Sequence, residues 1–233
     1  MTMTQPPNHT ERKILYDITP FTYLDFPGKL AAIAWFVGCN LRCMYCYNSD
    51  IVFAKEGRYT TDDLVAFLQT RHGLLDGVVL SGGEPTLHDL IPLCRRLKGM
   101  GFSVKLDTNG LHPETVKSLV EEKLLDYIAL DFKATYHKFG FVTGSSRYRQ
   151  FLETLDFLIA SSVDFEVRTT VHADLLPPEE INNMIRELHD RGYRNTYFLQ
   201  DFVPTDHSIA DIEPPSQPFD KSRIVDLLPI EWR

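Results

Sequence analysis

The chain has 233 residues, 43% of them hydrophobic and 24% charged. That is the profile of a soluble globular protein with one large core, or at most two small ones. Lys and Arg number 24 against 32 Asp and Glu, a net charge of −8. This balance excludes an extended nucleic-acid footprint but leaves room for a local basic pocket. No run of about 18 apolar residues predicts a membrane span, and the polar, proline-containing stretch Met1–Arg12 lacks the apolar core of a signal peptide. The cytoplasm is the expected compartment, with no nucleic acid and no membrane among the partners.

In chain order, residues 1–17 read as a loose leader, 18–203 as one core and 204–233 as a tail. Leu30–Phe36 predicts a buried strand ending at Gly38. A helix capped by Thr or Asp starts at Thr60–Asp63 and runs to about Arg71. Gly77–Leu80 is a short strand running into Ser81–Gly82–Gly83. Leu87 to about Met100 predicts a helix despite Pro92, stopped by Gly99 or Gly101. Phe102–Leu106 predicts a strand ending at Asp107, Pro113–Lys123 a helix with proline in its first turn, and Tyr127–Leu130 a strand ending at Asp131. Tyr148–Ser161 is an amphipathic helix, Phe165–Val171 a strand, Pro178–Arg191 a helix and Thr196–Leu199 a sixth strand. The tail is proline-rich and polar from Pro204 to Pro218, with a short apolar helix expected at Lys221–Leu228.

Six strands alternating with helices imply right-handed βαβ units and a parallel sheet. The polar signals gather where strands end: Cys39 after the first, Gly83 and Glu84 after the second, Asp107 after the third, Asp131 and Lys133 after the fourth. Barrel-like α/β folds build their active sites at that rim.

Four cysteines occur, and three of them, Cys39, Cys43 and Cys46, are spaced C-x3-C-x2-C. Three thiolates on one tight loop suit three corners of an iron–sulfur cubane. The fourth, Cys94, lies in an apolar helix and reads as a buried thiol, so one iron of the cluster is expected to stay open, as catalysis requires. A structural zinc site is the alternative, but it wants a second pair of ligands that is missing here. A pure electron carrier is a further reading, disfavoured by the lone three-cysteine site in a large α/β body.

The cysteine loop, with Tyr45 before the last cysteine, and Ser81–Gly82–Gly83–Glu84–Pro85 resemble the two signatures of the radical S-adenosylmethionine (SAM) superfamily. The stretch Leu24–Leu30, then Gly77–Thr86, Lys105–Gly110, Asp126–Ala134 and Phe165–Val171 resemble the activating proteins of glycyl radical enzymes. The branch is that of the anaerobic ribonucleoside-triphosphate reductase activating proteins, related to pyruvate formate-lyase activating enzyme. The resemblance runs from about Ile18 to Phe202. It implies a partial (β/α)6 barrel, a 4Fe–4S cluster on the three cysteines, and SAM held near Gly82, Gly83, Glu84, Asn48, Asp107, Lys133 and Arg168. By the same resemblance, SAM is cleaved reductively to a 5′-deoxyadenosyl radical that takes a hydrogen atom from a glycine of the partner, anaerobically, with reduced flavodoxin or ferredoxin as electron donor. The pyruvate formate-lyase type further implies a monovalent cation near Asp107, Thr108 and Asp131.

Two departures bear on specificity. Tyr47 stands where these activating proteins most often carry histidine, and Leu199–Phe202, with Gln200, stands where the pyruvate formate-lyase type places a SAM-contacting histidine. His207 is not assigned that role, and the other histidines (His72, His88, His112, His137, His172 and His189) read as surface or loop residues. The alternative function is a radical SAM enzyme for a small molecule or peptide, such as a carboxy-deazaguanine synthase. No cysteine beyond Cys94 is available for an auxiliary cluster.

Overall fold

The computed structural model describes residues 12–205, 208–210 and 212–233. One eight-stranded sheet runs in sequence order, β1 (Leu15–Thr22), β2 (Ala31–Phe36), β3 (Gly77–Gly82), β4 (Ser103–Thr108), β5 (Tyr127–Asp131), β6 (Phe165–Val171), β7 (Tyr197–Asp201) and β8 (Ile230–Trp232). Strands β2 to β8 are parallel and β1 is antiparallel to β2. β1 and β8 are not paired, so the sheet curls without closing. The helices are α1 (Ser49–Phe53), α2 (Thr61–Gln69), α3 (Ile91–Gly99), α4 (Pro113–Glu121), α5 (Tyr136–Thr143), α6 (Tyr148–Ala160) and α7 (Pro178–Asp190).

Strand alternation sorts the residues into two faces. Ala32, Ala34, Val78, Leu80, Val104, Leu106, Ile128, Leu130 and Val167 point outward and form the main core with helix residues such as Leu64, Leu93, Leu119, Leu155 and Ile185. The inner face is apolar only in its lower part, where Phe26, Ala31, Ile33 and Val79 pack with Trp35 and Tyr127. Above that plug the inner residues turn polar, which prepares a site inside the barrel.

All six expected strands form, with ends shifted by one or two residues. α2 starts as its sequence requires: Thr60 Oγ1 accepts from Asp63 N at 3.0 Å, and Asp63 Oδ2 accepts from Thr60 N at 2.8 Å. The helix expected from Leu87 begins later. A 3-10 turn covers Pro85–Leu87 and α3 starts at Ile91, which places Pro92 in the first turn, where its missing N–H costs nothing.

Two expectations need correction. The leader is too long by three residues, because Leu15 is fully buried and opens β1. The tail helix expected at Lys221–Leu228 is only a 3-10 turn, Lys221–Arg223, and the apolar residues beyond it serve β8. His172 and His88 lie in loops, as expected, and both are bonded there. His172 is buried and its Nε2 donates to Glu213 O at 2.9 Å, while His88 Nε2 donates to Val37 O at 2.9 Å. His207 lies outside the described residues.

The His172 contact belongs to a larger arrangement. After β7 the chain returns over the rim as a strap. Ile209 N donates to Cys46 O at 3.0 Å and Ala210 N to Met44 O at 3.1 Å, so the strap is bonded to the cysteine loop itself. Ser216 N and Oγ donate to Asp174 at 2.9 and 2.8 Å, anchoring its far end beyond β6.

Candidate active site

The cysteine loop leaves β2 through Gly38, whose φ of +79° suits glycine, and is fastened on both flanks. Gly38 N donates to Ile51 O of α1, while Arg42 N and Met44 N donate to Thr143 O and Val142 O at the end of α5. The Arg42 guanidinium folds back onto Cys39 O and Leu41 O at 2.7 and 2.6 Å. With its backbone so tied, the loop presents Cys39, Cys43 and Cys46 to one cavity of about 210 Å³. Cys94 is buried in α3 and does not line it, as its sequence context suggests.

Burial pushes the Cys39 thiol up to about 12, helped by the nearby Glu84 carboxylate, and the Cys43 thiol up to about 11, against the pull of the Lys133 ammonium. Both are therefore protonated at neutral pH until a metal displaces their protons. Among the described residues, no three His, Cys, Asp or Glu side chains form a group that holds one metal ion. A cubane takes its thiolates on separate irons, whereas zinc needs them around a single centre. The donor set and its spread fit the cluster better than zinc.

The second wall of the cavity is the Ser81–Gly82–Gly83–Glu84 segment. Gly82 has φ +112°, and a Cβ on Gly83 would stand 2.0 Å from Gly38 O, so only glycines let this segment press against the cysteine loop. Gly83 N and Glu84 N donate to Phe36 O and Gly38 O at 2.9 and 2.8 Å, locking the two loops together. Glu84 is 1% exposed. Its Oε1 accepts from Thr86 N, Thr86 Oγ1 and Thr108 Oγ1, and its Oε2 from Asn109 N at 2.8 Å. Burial raises its pKa and those four donors oppose the rise. The Glu84 carboxylate thus braces the glycine segment to the end of β4.

Inside the barrel, β4, β5 and β6 set a charge network in register, with Asp131 beside Arg168. Arg168 Nε donates to Asp131 Oδ1 at 2.5 Å, and its Nη2 lies 3.2 Å from Asp107 Oδ2. Lys133 Nζ donates to Asp131 Oδ2 at 3.1 Å, and Ser81 Oγ to Asp107 Oδ2 at 3.0 Å. Lys105 Nζ sits 2.8 Å from Asp107 Oδ1, an ion pair bent too far to count as a hydrogen bond. Burial alone would raise both acids. The Arg168 charge, with Lys105 at Asp107 and Lys133 at Asp131, outweighs it and holds both below the usual carboxylate range, Asp131 at about 2. Lys133 and Arg168 are held protonated by the same acids, against their own burial.

The implied monovalent cation does not fit this arrangement. Both Asp107 oxygens and both Asp131 oxygens already face ammonium or guanidinium groups, and the Thr108 hydroxyl donates to Glu84 while accepting from Gly110 N. No carboxylate oxygen there lacks a positive partner.

The cavity brings together every expected site residue: Asn48, Gly82, Gly83, Glu84, Asp107, Thr108, Asp131, Lys133 and Arg168 line it with the three cysteines. Asn48 precedes α1 and spends no side-chain bond on capping it. Tyr47 and Gln200, at the two departures, also line the cavity. The sequence reading missed Trp35, Asp25 and Thr170, which line the cavity, and Lys105, which pairs with Asp107. For Lys105 a signal existed, since it lies two residues before Asp107 on a strand and must share its face. Trp35 and Thr170 follow from the same rule only once the inner face is known.

Comparisons with known proteins agree with this geometry. Residues 33–172 match the family model described as the Radical SAM superfamily. A Methanocaldococcus jannaschii protein named "Putative glycyl-radical enzyme activating enzyme" is 32% identical over 202 residues, covering 84% of this chain and 82% of the relative. A 7-carboxy-7-deazaguanine synthase of Methanopyrus kandleri is 27% identical over 209 residues, covering 80% of this chain and 79% of that protein. Among solved structures, Streptococcus suis SuiB bound to S-adenosylmethionine superimposes with a TM-score of 0.64 at 15% identity, over 84% of this chain and 48% of that one. The chain therefore spans about half of that structure and shares its fold. With the family model spanning more than half of its length and its two signature loops walling one cavity, the chain belongs to the radical SAM superfamily.

Proposed function

We propose that the protein is an activating enzyme that installs a glycyl radical on a partner protein, with an anaerobic ribonucleoside-triphosphate reductase as the expected partner. The observation that carries this reading is one cavity in which three thiols of a single loop face a cluster of buried cations, inside a sheet that does not close. Cys39, Cys43 and Cys46 would hold the 4Fe–4S cluster. When bound with SAM, the cluster supplies single-electron cleavage of SAM and, through it, hydrogen-atom abstraction from the partner's glycine.

The residues of this chain do the positioning. Lys133 and Arg168 exceed by charge what Asp131 alone can neutralise, which suits the carboxylate of SAM. Gly82 and Gly83 bring backbone close to the amino group's side of the cavity, with Glu84 holding that segment in place. Asn48 offers an uncommitted amide beside Cys46. Leu41, Tyr45 and Val52 give the cavity an apolar flank that excludes water. The gap between β1 and β8 favours a macromolecular substrate, since a small metabolite is better served by an enclosed pocket. The M. jannaschii relative, matched over most of both chains, supports the same partner class.

The test mixes the cluster-loaded protein with SAM, a reductant or reduced flavodoxin, and a cognate reductase large subunit under anaerobic conditions. A glycine-centred radical should appear by electron paramagnetic resonance, and deuterium from α-deuterated glycine should appear in 5′-deoxyadenosine. A second reading, a radical SAM enzyme for a small molecule, is supported by the M. kandleri relative. It prevails if no radical forms on the reductase while the protein, with SAM and reductant, converts a small-molecule precursor to a carboxy-deazaguanine.

A further inference from the structure

We propose that Lys105 is a built-in monovalent cation: its tethered ammonium holds Asp107 in place, and the enzyme binds SAM without a sodium or potassium ion. This rests on reading the cavity as the SAM site and concerns how that site is charged.

The placement is specific. Lys105 is on β4, two residues before Asp107, so both side chains enter the barrel interior from one strand. It is 2% exposed, with Val79 and Tyr127 as its register neighbours on β3 and β5. A lysine in such surroundings is tolerated only when its charge is matched. Asp107 Oδ1, 2.8 Å away, is that match, and the Tyr127 ring, 6.0 Å from Nζ, adds a weak attraction.

Charge matching gives the same answer. Two carboxylates, Asp107 and Asp131, face three fixed cations, Lys105, Lys133 and Arg168. The network therefore carries one net positive charge, which complements a single ligand carboxylate. A further metal cation would add to this network's positive charge and would have to displace an amine or guanidinium from each Asp107 or Asp131 oxygen it used. Glu84 does not alter the balance at these oxygens, because its own are taken by four neutral donors. Lys105 is thus a positioning residue: it touches Asp107, which in turn orients Arg168.

The test is calorimetric titration of SAM into the anaerobic, cluster-loaded protein, without partner or reductant, in sodium, potassium or choline chloride at equal ionic strength. In the wild type, affinity should change by less than about twofold among the three salts, since the charge beside Asp107 is covalently supplied. In Lys105→Met, affinity in choline should fall by roughly tenfold or more and recover substantially in sodium or potassium, small enough to enter beside Asp107. A purely structural lysine gives no such rescue. Wild-type affinity that drops several-fold in choline overturns the proposal, and this arm decides even if the variant folds poorly. Absence of SAM binding in every salt overturns the SAM-site reading, and the proposal with it.

Discussion

At the scale of single residues, the three loop cysteines and Cys94 divide by position. Replacing Cys39, Cys43 or Cys46 with Ala should each abolish the brown absorbance of the anaerobically reconstituted protein, because one cavity holds all three and no other thiol reaches it. Cys94→Ala should keep that absorbance and cost about 1 kcal/mol of packing, read from urea unfolding. Asp131 makes a pH prediction. Its folded pKa is depressed to about 2 by Arg168 and Lys133, so its ion pairs contribute stability above the unfolded carboxylate value, near pH 4, and lose it as pH falls toward 2, an effect of about 2 kcal/mol. Urea unfolding of the cluster-free protein between pH 6 and 2.5 should show that acid slope, and Asp131→Asn should flatten it.

At the scale of elements, the strap after β7 supports the cysteine loop through two backbone hydrogen bonds, Ile209 N to Cys46 O and Ala210 N to Met44 O. Ile209→Pro removes the first donor while leaving every cysteine in place. Loss of cluster absorbance in air should then be roughly two- to fivefold faster, because the loop's outer side gains solvent access. The elements legible in sequence were those with a strong local cause. Gly77–Gly82 opens as a short apolar run and ends in turn residues, Phe165–Val171 is a strand rich in β-branched residues, and Thr60 to Asp63 is a reciprocal cap. β1 was hidden because its sequence, LYDITPFT, is neither apolar nor strictly alternating and is a strand only by pairing with β2. β8 has three residues and forms because β7 offers a free edge.

At the scale of the whole molecule, the unclosed sheet needs its interior charges neutralised from both edges. Glu166 on β6 is 2% exposed, yet it accepts from Tyr127 on β5 and is bound by Arg233, whose Nη1 and Nη2 lie 3.1 and 3.2 Å from its two oxygens. The Arg233 guanidinium also lies 3.5 Å from the Phe198 ring centre. Arg233→Ala should lower stability by roughly 2 kcal/mol, less than a fully buried pair because the arginine is about one-third exposed. A urea midpoint that does not move would show that water can take over Glu166.

Strand periodicity and soft-ligand spacing by themselves pointed to an α/β parallel sheet and to the three thiols, because each has a local physical cause; the glycine segment was legible only through its resemblance to a known signature. Tertiary structure alone decided what the acids at the strand ends do. Resemblance implied a monovalent cation near Asp107 and Asp131, and only register across β4, β5 and β6 reveals that Lys105, Lys133 and Arg168 face their oxygens. It likewise showed that Glu84, expected at the SAM site, is a brace between the glycine segment and the end of β4, and turned a proline-rich tail into a strap on the cysteine loop. Charge in a barrel interior depends on which neighbours a curled sheet brings within about 3 Å, and that distance is a property of the assembled sheet.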